Sequence, residues 1–254
     1  MTENYLNKII LSASNDFLQL DDPKIRKLNG DHKLSNVYIL NDAYIMKIVT
    51  KRHVEYHRLL TLFWNASLQY IGCDNFFESF ECPYDMVEHE YTTMEDMRDV
   101  MSVYSPKPIA YADYADCGVI ISEYISDSEP FGNTHGNTAV ELTEKLFNSV
   151  SNLHSANIPH GDLQQDNILV SENNVYIIDA NHINKCEPNY KYYDIASVIS
   201  TASRVIGAEK SIELAKKYFA NEDIKKCKKF IDIIVIQFGH DANKKVIKSE
   251  IDAI

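Results

Sequence analysis

Two rhythms of apolar and polar residues alternate along this chain. LSNVYIL (34–40) and AYIMKIV (43–49) are short runs rich in β-formers, and the turn-forming pair Asn41-Asp42 between them predicts a hairpin. From 51 to 105 the period lengthens. VEYHRLLTLFW (54–64) and VEHEYTTMEDMRDVM (87–101) place apolar residues three and four apart, which predicts two helices, with Cys82-Pro83 breaking the stretch between them. Pro106 and Pro108 end the second helix, and IAYADYADCGVIISEYI (109–125) reads as two strands around Asp116, Cys117 and Gly118. A segment rich in Ser, Asp, Gly, Pro and Asn (126–137) predicts a linker and a lobe boundary. TAVELTEKLFNSVSNLHSA (138–156) is then helical, with Val140, Leu142, Leu146, Phe147, Val150 and Leu153 on one broad face. NILV (167–170) and VYIID (175–179) predict two short strands around Glu172-Asn173-Asn174, and helices fill the remainder. The expected class is α+β, strand-rich first and helix-rich last.

Composition narrows the function classes. With 254 residues and 45% hydrophobic content the chain can build a real core without staples. A formal charge of −12 argues against nucleic acid as a partner. The five cysteines are scattered and form no CxxC pair, so neither a disulfide framework nor a structural zinc site is expected, and a cytoplasmic protein is. The amino-terminal MTENYLNKIILSASNDFLQ lacks the pattern of a signal peptide. The most apolar window, FIDIIVIQF (230–238), falls far short of the roughly 20 residues a membrane span needs, so core packing is its expected role and no span is expected.

The chemistry gathers around IPHGDLQQDNILV (158–170). Phosphate transfer from ATP needs a base for the acceptor, metal ions on the polyphosphate, a cation on the phosphates and a backbone cradle over them. Asp162, in a loop between a long helix and a strand, suits the base. Asn167 supplies a neutral oxygen and Asp179 an anionic one, the ligands magnesium prefers. Lys47 lies inside the apolar run YIMKIV, where a buried ammonium needs a partner. Gly30, Ser35 and Asn36, just upstream, are the candidates for a turn over phosphates. Each piece also has an ordinary reading: Gly161 serving a turn, Lys47 snorkelling from a strand, Asp179 and Asp194 capping. Their joint occurrence in this order favours the functional reading.

HGDLQQDN resembles the catalytic loop of the protein-kinase-like superfamily, in which HRDxxxxN is paired with a lysine on the third strand. The glycine between histidine and aspartate is similar to its small atypical branches: RIO kinases, the kinase of the tRNA threonylcarbamoylation complex, lipopolysaccharide sugar kinases, and aminoglycoside or choline phosphotransferases. VYIIDANHINKCEPNYKYYDIASVI looks most like the RIO and lipopolysaccharide-kinase pattern. The resemblance, from about Leu28 to Ile199, implies a bilobal kinase-like fold: a small antiparallel-sheet N-lobe over about 1–125, with an insertion at 51–86, and a mainly helical C-lobe over about 126–254. It implies Asp162 as catalytic base, Asn167 and Asp179 as magnesium ligands, and Lys47 on the α and β phosphates of ATP. Glu123 to Ile125 would be the adenine-binding hinge, with Ser122 as gatekeeper, and Asp194 a structural aspartate opening the next helix. Either Glu55 or Glu90 could pair with Lys47, and Glu90 is favoured by its distance from Pro106-Lys107-Pro108.

The sequence also departs from the family pattern. DFG is replaced by Asp179-Ala180-Asn181, the glycine-rich loop is reduced to Gly30, and only fourteen residues separate Asp179 from Asp194. The expected activity is ATP- and magnesium-dependent phosphotransfer to a hydroxyl acceptor, a small molecule or glycan ahead of protein. The alternatives are a RIO-like serine/threonine protein kinase and a nucleotide-binding switch or pseudokinase scaffold.

Overall fold

The computed structural model describes residues 3–28, 34–237 and 244–254. In chain order these form α1 (Glu3–Leu18), β1 (Ile25–Lys27), β2 (Asn36–Leu40), β3 (Tyr44–Val49), α2 (Lys51–Tyr70), α3 (Pro83–Arg98), β4 (Pro108–Tyr114), β5 (Cys117–Glu123) and β6 (Glu129–Pro130). There follow α4 (Gly136–Ser155), β7 (Ile168–Ser171), β8 (Asn174–Ile177), α5 (Asn189–Ile206), α6 (Ala208–Ala215), α7 (Asn221–Cys227), α8 (Ile231–Gln237) and α9 (Lys244–Asp252). The chain divides into two compact units: Met1–Thr61, Ser79–Glu95 and Pro106–Ser126 in the first; Leu62–Glu78, Asp96–Ser105 and Asp127–Ile254 in the second.

The first unit is built on an antiparallel sheet of strand order β1-β2-β3-β5-β4. Strand alternation gives this sheet two apolar faces. Tyr38, Leu40, Met46, Ile48, Val119 and Ile121 meet Leu6, Ile9, Ile10 and Ala13 of α1. Val49 and Ile120 face the other way, against Val54 of α2, Phe80, and Val87 and Met94 of α3. The β2–β3 hairpin closes on Asn41 and Asp42, both in the left-handed region at φ 51° and 54°, the backbone a two-residue turn requires.

Several boundaries differ from those the sequence predicts. Helix α3 starts at Pro83, ahead of residue 87, because proline is suited to a first helical position and the Asp85 carboxylate reaches back to the amides of Glu81 and Cys82. Helix α2 runs beyond 54–64 at both ends. The β4–β5 turn falls on Ala115-Asp116, at φ 46° and 73°, so Cys117 and Gly118 belong to the strand. The segment read as a linker contributes β6, which pairs with β7.

The second unit is mainly helical. Helix α4 presents Leu142, Leu146, Phe147, Val150 and Leu153 to α5 and its neighbours, and a small sheet of order β6-β7-β8 completes the unit. β7 and β8 are joined through Glu172 and Asn173, again both left-handed. In α8 Ile231, Ile233 and Ile234 are buried, the core role expected of this apolar window. Among the described residues no helix is long and apolar enough to cross a membrane, and the cysteines form no disulfide.

Candidate active site

In the first unit two periodicities meet at one ion pair. Strand alternation turns Met46 and Ile48 toward α1, and so sends Lys47 to the opposite face with Val49. On α3 the helical repeat puts Glu90 on the same stripe as Val87 and Met94, which pack on that face. Lys47 Nζ donates to Glu90 Oε1 at 2.6 Å, and both side chains are largely buried. Of the two glutamates weighed from sequence, the structure pairs Glu90 with the lysine; Glu55 lies exposed on α2.

The other candidates of this unit are spread over its strands. Asn36 is the first residue of β2, opposite Ile48, and Ser35 precedes it. Gly30 lies outside the described residues. Ser122 is buried near the end of β5. The Glu123 amide donates to Lys107 O at 2.9 Å while its carboxylate accepts from the Lys107 amide at 3.1 Å, and the Tyr124 amide donates to Ala43 O at 2.9 Å. Ile125 is buried.

In the second unit the loop after α4 is organised by a buried carboxylate. Asp194 Oδ1 accepts from the Gly161 amide at 2.7 Å, and Oδ2 accepts from the His160 amide at 2.9 Å and lies 3.3 Å from His154 Nε2. Asp194 sits in the second turn of α5, so it does not open that helix as expected from sequence; its oxygens serve the neighbouring loop's amides. Gly161 adopts φ 76°, and a Cβ there would lie 2.3 Å from Ile183 Cδ1, so conformation and space both call for glycine.

His160 is fully buried, and that burial lowers its pKa, keeping the ring neutral against the opposing pull of Asp194. Its neighbours define the tautomer. Nε2 lies 3.0 Å from the carbonyl of Ile178, which can only accept, and Nδ1 accepts from the Asp162 amide at 3.2 Å. The histidine therefore ties the start of the loop to the end of β8 through a protonated Nε2.

Asp162 emerges from this frame half-buried. Its Oδ2 accepts from Asn167 Nδ2 at 2.9 Å and from Gln164 Nε2 at 3.2 Å. Asn167 Nδ2 also donates to the Asp162 carbonyl at 3.0 Å, so its amide oxygen is the atom that could ligate a cation. Burial, then the charge of Asp179, push the Asp162 carboxyl up to about 7, against the lowering effect of the Asn167 and Gln164 hydrogen bonds. A carboxyl so placed is poised to exchange a proton near neutral pH.

Asn167 and Asp179 are brought together, although neither ends a strand as expected. Asn167 closes a short 3-10 turn before β7, and Asp179 lies two residues beyond β8 in the left-handed region at φ 62°. The Ile178 amide donates to Asn167 O at 3.0 Å, which places Asn167 beside the residue that precedes Asp179. Among the described residues no group of three or more His, Cys, Asp or Glu side chains could hold a metal ion. A pair of oxygen ligands with waters and phosphates completing the shell is the arrangement magnesium accepts.

Sequence reasoning missed three supports of this site. Gln164 holds Asp162; Asn181 donates from its side chain to Gly161 O and from its backbone to His160 O; His154 backs Asp194. Only the clustering of Gln and Asn in QQDN and DAN signalled the first two, and nothing local signalled His154.

The RIO domain family model matches residues 75–198, just under half of the chain. The small antiparallel sheet and the many helices are consistent with a kinase-like fold. The matched stretch contains Glu90, Asp162, Asn167, Asp179 and Asp194, and begins downstream of Lys47. Among solved structures, the crystal structure of WbdD is similar at 12% identity with a TM-score of 0.47, over 72% of this chain and 38% of that one. The chain thus spans about two fifths of the WbdD structure's length. A search of curated proteins finds no match.

Proposed function

We propose that this protein is an ATP- and magnesium-dependent phosphotransferase that moves the γ-phosphate to a hydroxyl acceptor, a small molecule or glycan in preference to a general peptide. The observation that carries the reading is the placement of Asp162: a carboxylate oriented by Asn167 and Gln164 in a loop anchored by Asp194. In this reading it accepts the acceptor's proton as the oxygen attacks. Asn167 and Asp179 would hold magnesium, which neutralises charge on the transferring phosphates. Lys47, oriented by Glu90, would contact the α and β phosphates; the Glu123–Ile125 backbone would hold adenine, and the turn from Gly30 through Ser35 and Asn36 would cover the phosphates.

Two features support the acceptor class. The stretch between Asp179 and α5 is taken up in bonds to residues 76–78 and to the catalytic loop, leaving little to dock an extended peptide. The net charge of −12 weighs against docking acidic peptides. A cytoplasmic setting fits a nucleotide donor.

A second reading, a RIO-like protein kinase, is favoured by the family match over 75–198. Comparing ATP consumption on metabolite and glycan pools with labelling of cell proteins separates the two. The common claim is tested by melting: magnesium-nucleotide at about 100 times its Kd stabilises by roughly 2.7 kcal/mol. That corresponds to about 5 to 10 °C for a chain of this size. No magnesium-dependent shift with any nucleotide would refute the reading. Asp162→Asn should abolish turnover while leaving nucleotide affinity in place; retained turnover would refute Asp162 as base, and no turnover even in wild type would favour a nucleotide-binding scaffold.

A further inference from the structure

The segment before α3 is linked to the stretch that carries Asp179 through hydrogen bonds and packing, all within the second unit. Phe77 pairs with Ile183 as an antiparallel bridge. The Glu78 amide donates to His182 O at 2.9 Å and the Asn184 amide donates to Phe76 O at 2.8 Å. On the opposite edge, Asn65 of α2 takes the place of a further strand: its Oδ1 accepts from the Phe77 amide at 3.3 Å and its Nδ2 donates to Phe77 O at 2.9 Å. The backbone of residues 76–78 is therefore held on both sides.

From Ile183 the path continues inward. The Ile183 side chain fills the space left by Gly161, and the Asn181 amide donates to His160 O at 2.8 Å. On the other side of Asp179, Ile178 is bonded through its amide to Asn167 O and through its carbonyl to His160 Nε2. Asp179 thus occupies a left-handed position between two anchored neighbours. Phe76 and Phe77 also pack edge-on against Tyr193, at 5.4 and 5.3 Å between ring centroids.

We propose that Asn65 and residues 76–78 form a positioning clamp that fixes the 178–184 segment, and with it Asp179, for magnesium binding. This rests on the reading of Asp179 and Asn167 as the metal ligands. The clamp does the work that a phosphorylated or ligand-ordered segment would otherwise do, so the site is assembled by folding alone. Asn65 is suited to it because one side-chain amide supplies both the donor and the acceptor that a strand edge needs.

The test compares wild type with Asn65→Ala, Asn65→Asp, which keeps only the acceptor, and Ile247→Ala, a core truncation in α9 that lowers stability elsewhere. Hydrogen exchange on the protein without nucleotide reads the clamp itself. Asn65→Ala should speed exchange at the amides of Glu78, Asn184 and Asn181, Asn65→Asp by less, and Ile247→Ala should not single them out. Magnesium titration of the nucleotide-induced melting shift reads the consequence. Its midpoint should rise about 10-fold in Asn65→Ala, the usual scale for lost support of a metal site, and stay unchanged in Ile247→Ala. If Asn181 keeps its protection in Asn65→Ala, or the magnesium midpoint does not move, the proposal is overturned. If wild type itself shows no magnesium-dependent shift, the phosphotransferase reading fails, and exchange at Asn181 still decides whether the clamp exists.

Discussion

Replacing Asp162 with asparagine should stabilise the protein at high pH while it abolishes phosphoryl transfer. The Asp162 carboxyl rises from an ordinary 3.8 to about 7, first because of burial and then because of Asp179. Such a group binds its proton more tightly folded than unfolded. It subtracts nothing from stability at pH values below its ordinary pKa, subtracts progressively more as the pH rises from about 4, and levels off above about 7. At roughly 1.4 kcal/mol for each tenfold, the full cost is about 4 kcal/mol. Asparagine removes that cost. Its amide oxygen can still accept from Asn167 and Gln164, which both donate to a single carboxylate oxygen, but bonds to a neutral acceptor are weaker, by about 1 kcal/mol together. The net gain at pH 8 is about 3 kcal/mol, or roughly 6 to 12 °C in melting temperature. Near pH 4.5 the two effects cancel. The assay is a melting series from pH 4.5 to 8 on both proteins in chelator, without nucleotide. A melting difference that is the same at both ends, or a variant less stable than wild type at pH 8, would refute the reasoning.

Other expectations follow from the same geometry. Lys47→Met should lose activity and also stability, by roughly 1 to 3 kcal/mol, because it leaves Glu90 largely buried without its cation; adding Glu90→Leu should restore melting but not activity. Gly161→Ala should cost roughly 2 to 4 kcal/mol in urea unfolding from its backbone angle and its clash with Ile183 Cδ1, and Ile183→Val in the same chain should recover about 1 kcal/mol. Asp194→Asn turns an amide group toward donors that had an acceptor, so it should cost about 2 to 4 kcal/mol and speed hydrogen exchange at His160 and Gly161.

The parts of this fold set by local pattern could be read from the sequence, and those set by partners distant in the chain could not. Asn41-Asp42 and Glu172-Asn173-Asn174 announce their hairpins because two consecutive left-handed residues are a local demand, although Asn174 itself begins β8. The pairing of Lys47 with Glu90 follows from strand alternation and the helical repeat once each element is placed. Leu6, Ile9, Ile10 and Ala13 of helix α1 carry the helical spacing, but the sheet that buries them is formed by strands far along the chain. Strand β6 could not be foreseen: two residues, one a proline, become a strand only through pairing with Leu169 and Val170. Asp194 was located as a structural residue, but its acceptors' role toward His160 and Gly161 spans more than thirty positions of chain and leaves no local trace.

Helix α1 carries a consequence for how the protein is made. Its apolar stripe rests on strands whose last member, β5, ends at Glu123, and its flanks are tied to the same hairpin by Tyr5 Oη on Ala115 O and Tyr114 Oη on Asp16. A ribosome adding about 5 to 20 residues each second needs roughly 5 to 20 s to travel from that stripe to the strand that covers it. For that interval the α1 stripe has the β2–β3 hairpin but not Val119 and Ile121 of β5 to fold against. The nascent chain is then a client for whatever shields exposed apolar residues during synthesis, and slowing translation ahead of β5 should lower the yield of folded protein.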